Sequence, residues 1–314
     1  MSKILIALTQ PEEWNQILPF NSFINEIKEG YSKVIGIVQY NGYIVLSSVD
    51  EIVTVNNGDF FSYPSVLDTK FRENDSFLDK CVNHCIEKYG IENIEIRSWQ
   101  NTKYDNGVVD VWSALNSYRT SFGYAKKFFD NGLTIKPTEE VFKSVEQKYG
   151  RLFTDKTFIL MTRNFNRKTT EYNTSSSLPN LGNLLNQLTK NGIRIINIGF
   201  PPQSYNISEN YYEINDELTQ DELISLFYLS YGVLSAADAG GFVTHFGSNV
   251  DFYVLNEEWS MWHKDIQISL IASKKTNSTY NLNHLNDDEI MNILFKNGKP
   301  QIKEFSVPKK INII

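Results

Sequence analysis

The feature that most limits the fold of this chain is an alternation in its second half. Short apolar runs at Thr157–Met161, Ile193–Ile198, Gly232–Ser235 and Phe252–Leu255 are separated by stretches of helical spacing at Leu181–Leu188 and Gln220–Tyr228. Apolar runs this short, bounded by turn residues, read as strands buried on both faces. Strands alternating with short helices build βαβ units and therefore a parallel sheet. The punctuation agrees. Asn191-Gly192 closes the helix that opens at 181, and Thr219 or Asp216 stands ready to cap the one that opens at 220. The expectation is a doubly wound, Rossmann-like domain, whose ligands sit outside the carboxyl ends of its strands.

The first half reads as a second α/β unit. Ile4–Leu8 is a strand, and the residues after Pro19 as far as Ile27 form a helix. Val34–Tyr40, Asn41-Gly42 and Tyr43–Val49 carry the signature of a type I′ hairpin. Ile52–Val55 is a further short strand, Phe77–Tyr89 a helix with Gly90 at its C′ position, and Ile94–Ile96 a strand. Spacing from Val108 to Phe129 is again helical. Asp130–Pro137 is the best linker candidate, after which Thr138 can cap a helix running to Tyr149. The 314 residues therefore divide into an N-terminal α/β domain (1–134), a Rossmann-like domain (135–285), and a helix and tail (286–314) that could return to the N-terminal domain. The expected fold class is α/β, with two Rossmann-like domains facing a cleft. The tail from 301 shows no clear periodicity, and no repeat of roughly 20–50 residues is present.

Charge and cysteine content narrow the function. Thirty Lys and Arg stand against 37 Asp and Glu, for a net charge of −7. Duplex nucleic acid is a poor fit, because phosphate contacts need clustered Lys and Arg. The first apolar run is short and is followed by Glu12 and Glu13, which makes it a strand and not a signal peptide. No stretch reaches the roughly 18 apolar residues of a membrane span. A soluble, cytoplasmic protein is expected. Two cysteines exclude a disulfide framework. Cys81 and Cys85 share one helix face, either as small core hydrophobes or as metal ligands beside His84.

The chemistry is sought at strand ends in the second half. Arg163 follows the strand at 157–161, with Arg167 four residues on, and a fixed guanidinium there can pair bidentately with a phosphate. Gly199 follows the next strand and permits close backbone approach, with Phe200 beside it. The third strand ends in Ser235-Ala236-Ala237-Asp238-Ala239-Gly240-Gly241, opening a short helix that carries His245, with Ser248 just beyond. A helix N-terminus with no Cβ atoms in the way suits a pyrophosphate. The pattern is neither a Walker A loop nor a G-x-G-x-x-G fingerprint. His245 is either a satisfied buried histidine or a ligand contact. Trp259, Trp262 and His263 either stack on a ligand or pack the core.

These three segments together resemble GT-B glycosyltransferases, in particular the heptosyltransferase-like and fucosyltransferase-like groups. Asp238, Gly240 and His245 are similar to an Asp-x-Gly-x-x-His segment that begins the donor-phosphate helix, with two more residues before the histidine. Arg163 matches a strand-end arginine that contacts donor phosphate. The resemblance spans residues 155–260. It implies a nucleotide-sugar donor held by the C-terminal domain through Arg163, Arg167, Gly199, Ser235, Asp238, Gly240, Gly241, His245 and Ser248. It also implies a glycan or other hydroxyl acceptor, and no resident cofactor. No Asp-x-Asp signature is present, so no metal is expected and leaving-group charge falls to arginine and helix N-termini. An inverting transfer needs a general base, for which Glu12 and Glu13 after the first strand, and then Asp110, are the candidates. The other readings are a nucleotide-sugar epimerase or hydrolase of the same fold, and a non-catalytic nucleotide-sugar-binding protein.

Overall fold

The computed structural model of the chain describes residues 3–8, 17–37, 48–55, 75–98, 127–161, 181–198, 207, 209–216, 218, 220–235, 248, 250–254, 286–296, 298–299, 305 and 309–313. These residues fall into two compact units. One comprises Met1–Thr138, Thr219–Asp221 and Phe305–Ile314, and the other Glu139–Leu218 and Glu222–Glu304.

The first unit is built on five parallel strands: β1 (Ile4–Leu8), β2 (Lys33–Ile37), β3 (Glu51–Val55), β4 (Ile94–Ser98) and, from the tail, β10 (Lys309–Ile313). Their order across the sheet is β10-β3-β2-β1-β4. Helix α1 (Ile17–Ile27) follows β1, and α2 (Asp75–Tyr89) precedes β4. Residues alternate faces along a strand. Ile6 and Leu8 of β1 join Ile35, Ile37 and Val53 in one cluster with Cys81, Val82 and Cys85 of α2. Leu5 and Ala7 point the other way and are equally buried. Both faces are covered, as a parallel sheet requires.

Pro19 lies inside α1, so the helix begins three residues earlier than the proline suggested. It occupies the first turn, where backbone N–H groups have no intrahelical partner and a missing donor costs nothing. The Asn41-Gly42 hairpin lies outside the described residues, as does most of the helical spacing from Val108; residues 127–130 are helical. Of the second hairpin strand expected at 43–49, Ser48 lies in a turn and Val49 in irregular chain leading into β3. β2 and β3 pair in parallel, with Ile35 opposite Glu51.

The second unit repeats the plan. Its strands are β5 (Thr157–Met161), β6 (Arg194–Ile198), β7 (Tyr211–Ile214), β8 (Gly232–Ser235) and β9 (Asp251–Val254), all parallel, in the order β7-β6-β5-β8-β9. Its helices are α3 (Glu139–Tyr149), α4 (Leu181–Lys190), α5 (Gln220–Leu229), of which Gln220 and Asp221 belong to the first unit, and α6 (Asp287–Leu294). Phe158, Leu160, Ile195 and Leu234 pack on Leu184, Leu185 and Leu188 of α4 and on Ile290 and Leu294 of α6. Each fully buried side chain of this size contributes about 1.5–3 kcal/mol. Gly192, with φ 77°, ends α4, and Gly90, with φ 80°, ends α2, the left-handed stops their sequence positions led us to expect.

Helix α6 is held at both ends. Asn286 and Glu289 form a capping box at its start. At its end the Tyr253 hydroxyl donates to the Leu294 carbonyl at 3.0 Å and the Tyr231 hydroxyl to the Phe295 carbonyl at 3.3 Å. These carbonyls lie in the last turn, where no intrahelical donor reaches them.

Candidate functional site

In an open parallel sheet the crevice lies where the strand order reverses, beyond the carboxyl ends. In the second unit that point falls between β5 and β8, since the chain moves one way through β6 and β7 and then returns to the other side of β5. Met161 and Ser235, the last residues of these two strands, are register partners. The segments that leave from this pair are the ones carrying Arg163 and Asp238-Ala239-Gly240-Gly241. In the first unit the corresponding reversal lies between β1 and β4, whose last residues Leu8 and Ser98 are register partners. Glu12 and Glu13 follow Leu8 along the chain, and Asp110 follows Ser98.

Among the candidate residues themselves, Ser235 ends β8 and Ser248 is buried, only 1% exposed, ahead of β9. Glu12, Glu13, Asp110, Arg163, Arg167, Gly199, Asp238, Gly240, Gly241 and His245 lie outside the described residues, as do Phe200, Trp259, Trp262 and His263.

One polar residue at these strand ends was passed over in the sequence. Asn197 stands one position before the end of β6, opposite Leu160 of β5, and is fully buried. The signal was available, since Asn is the only polar residue among the inner positions of Arg-Ile-Ile-Asn-Ile. Asn197 is not without a partner there, next to the switch point, although its buried Oδ1 accepts no hydrogen bond among the described residues.

Several described carboxylates are already committed to structure. Asp216, two residues past β7, accepts from the Lys148 ammonium at 2.8 Å and from the Tyr149 hydroxyl. Those hydrogen bonds hold its carboxyl below the usual range. Asp221, in the first turn of α5 and 1% exposed, accepts from both the backbone N–H and the hydroxyl of Thr138, at 3.1 and 2.9 Å. The Thr138 hydroxyl, expected to cap the following helix, therefore donates to Asp221. In the first unit, Glu51 accepts from Lys33 at 2.6 Å and from the Tyr89 hydroxyl at 2.9 Å. It begins β3, at the amino end of the sheet and away from the switch point.

Cys81 and Cys85 are fully buried in the α2 cluster. Burial pushes the Cys81 thiol up to about 12, with Cys85 adding to it, and pushes the Cys85 thiol up to about 11. These are core thiols, the first of the two readings given above. Among the described residues no group of three or more His, Cys, Asp or Glu is placed to hold a metal ion, and no helix is long and apolar enough to cross a membrane.

No protein-family profile matches the sequence, and no curated protein matches it. Solved structures do. A glycosyl transferase family 9 protein from Veillonella parvula is 9% identical, with a TM-score of 0.58 over 94% of this chain and 99% of its own. Arabidopsis thaliana UGT89C1, solved with quercetin, is 10% identical over 94% and 90% of the two chains, with a TM-score of 0.39. The spinosyn forosaminyltransferase SpnP is 10% identical over the same shares, with a TM-score of 0.40. The first of these establishes a GT-B glycosyltransferase-like fold, with two α/β units each built on a parallel sheet.

Proposed function

We propose that this chain, with its GT-B-like fold, is a glycosyltransferase that moves a sugar from a nucleotide-sugar donor to a hydroxyl acceptor without a metal ion. The observation that carries the reading is the register pairing of Met161 with Ser235 at the switch point of the second sheet. It starts the segments of Arg163 and of Asp238–Gly241 from neighbouring strand ends, the region in which such sheets bind nucleotides.

In this reading the donor pyrophosphate is held by the Arg163 guanidinium and by backbone N–H groups following Gly240 and Gly241. Charge develops on the leaving diphosphate as the glycosidic bond breaks, and preorganised donors of this kind stabilise it. Arg167, Gly199, Asp238, His245, Ser235 and Ser248 line the same donor region. Glu12 or Glu13, and otherwise Asp110, takes the proton of the attacking acceptor hydroxyl. Acceptor binding belongs to residues 1–134 and donor binding to 135–285, with 286–314 as helix and returning tail. The protein is placed in the cytoplasm.

A thermal-shift panel of UDP-, GDP-, ADP- and CMP-sugars tests this. A ligand that binds only the folded state raises apparent stability by mass action, by about 2.7 kcal/mol at a hundredfold excess over Kd. One nucleotide class is expected to raise Tm, and its sugar is expected to reach an acceptor hydroxyl in turnover assays. No shift with any class would overturn the proposal.

A further inference from the structure

The polar face of α4 and the start of α6 border an open depression of about 350 Å³ lined by Asn183, Asn186, Gln187, Lys190, Asn191 and Asp287. Its composition is unusual for a helix surface. Four of the six lining groups are carboxamides, and the two charges are of opposite sign.

One side of the depression is fixed. The Asp287 carboxylate accepts from the side-chain amide of Asn191 at 2.9 Å and from that of Gln187. The Asn191 amide also donates to the Gln187 carbonyl at 3.0 Å. These bonds use both Asn191 amide hydrogens and one of Gln187's, and leave the Gln187 and Asn191 side-chain oxygens as acceptors. Asn183 and Asn186 supply amides that no described residue engages, and Lys190 supplies an ammonium.

We infer that this depression binds a neutral carbohydrate, as a second site distinct from the strand-end crevice. A carboxamide offers two donors and an acceptor on one rigid plane, which matches the vicinal hydroxyls of a pyranose. The volume suits a ligand of one or two sugar rings. Lys190 and Asp287 cancel in charge, so the site has no bias towards a phosphate or a nucleotide. Lys190 and Asn191 directly precede the amino end of β6, the edge of the sheet opposite to Met161 and Ser235. The site therefore holds a glycan at a distance from reacting atoms and adds avidity for an extended chain. It stands whether or not sugar is transferred at the strand ends.

The test uses the full chain and three neutral probes: maltotriose, cellotriose and chitotriose. With no aromatic ring among the lining residues, a Kd on the order of 1 mM is expected for at least one probe, by calorimetry and by shifts of the Asn and Gln side-chain amide resonances. The Asn183→Ala/Asn186→Ala variant, on a solvent face where alanine favours the helix, is expected to keep its Tm and weaken binding at least tenfold. Uridine diphosphate is expected not to compete. No binding of any probe at about 10 mM, unchanged affinity in the variant, or shifts of these same amides by inorganic phosphate instead of sugar would each overturn the inference. None of these readouts depends on turnover, so failure here is distinguishable from failure of the transferase proposal.

Discussion

The Lys33 ammonium, at the first residue of β2, donates across 2.6 Å to the carboxylate of Glu51, at the first residue of β3. Glu51 is 6% exposed. Burial alone would raise its pKa, but hydrogen bonds from Lys33 and Tyr89 and the charges of Lys33 and Lys88 outweigh it and hold the carboxyl below its ordinary value. A carboxyl depressed in the folded state stabilises above its unfolded pKa, and that contribution is lost as pH falls through the folded value. Glu51→Gln is therefore expected to cost about 1–3 kcal/mol near neutral pH, and the gap to wild type should narrow at an acid pH below the folded value. Urea denaturation at the two pH values checks this; a gap that stays constant would show that the ionised carboxylate is not the source.

Gly232 leaves no room for a side chain. A Cβ there would meet the rings of Phe158 and Tyr253 at 3.0 Å and the Asp251 carbonyl at 3.2 Å. Both rings are fully buried and packed edge-on, so neither can yield cheaply. Gly232→Ala is expected to destabilise by about 1–3 kcal/mol. Gly182→Ala in α4, where a Cβ meets nothing within 4 Å, should leave stability unchanged or higher. Equal denaturation midpoints for the two variants would contradict this packing.

The two cysteines should be chemically silent in the folded protein. With thiol pKa values pushed up to about 12 and about 11 by burial, almost no thiolate is present near neutral pH. Ellman's reagent at mildly alkaline pH is expected to titrate neither thiol in the native protein and both in guanidinium. Rapid native labelling of either one would show that α2 opens away from the sheet.

Arg163→Ala and Gly240→Val are expected to abolish nucleotide-sugar binding while the far-ultraviolet circular dichroism remains that of the wild type. Losing a bidentate arginine contact costs about 1.5–3 kcal/mol, or more than tenfold in Kd. Unchanged donor affinity in both variants would move the site elsewhere.

Strands buried on both faces were legible because their sequences are unbroken apolar runs. β1, β5 and β8 have the bounds that their residues suggest. β7 was missed for the opposite reason. Tyr211-Tyr212-Glu213-Ile214 is an edge strand with only Ile214 buried, and it enters through Asn210 at φ 56°. β10 was missed because nothing local marks Lys-Lys-Ile-Asn-Ile as a strand; its partner β3 lies far back in the sequence. The ends of β5 and β8, at Met161 and Ser235, were legible from the sequence. That Met161 and Ser235 stand side by side was not, because strand order is a tertiary property. Asn197, next to a run of isoleucines, was given no role.

The pairing of Glu51 with Lys309 joins residues 258 positions apart in the chain. Ribosomal synthesis delivers all of 139–304 before the residues that cover the outer edge of β3. Throughout that interval the nascent first unit presents a bare strand edge, the kind of surface that seeds aggregation. So distant a contact also forms slowly once the chain is complete. The order of events during biogenesis is thus set: the later-encoded unit can finish its sheet while the earlier one is still waiting for its last strand.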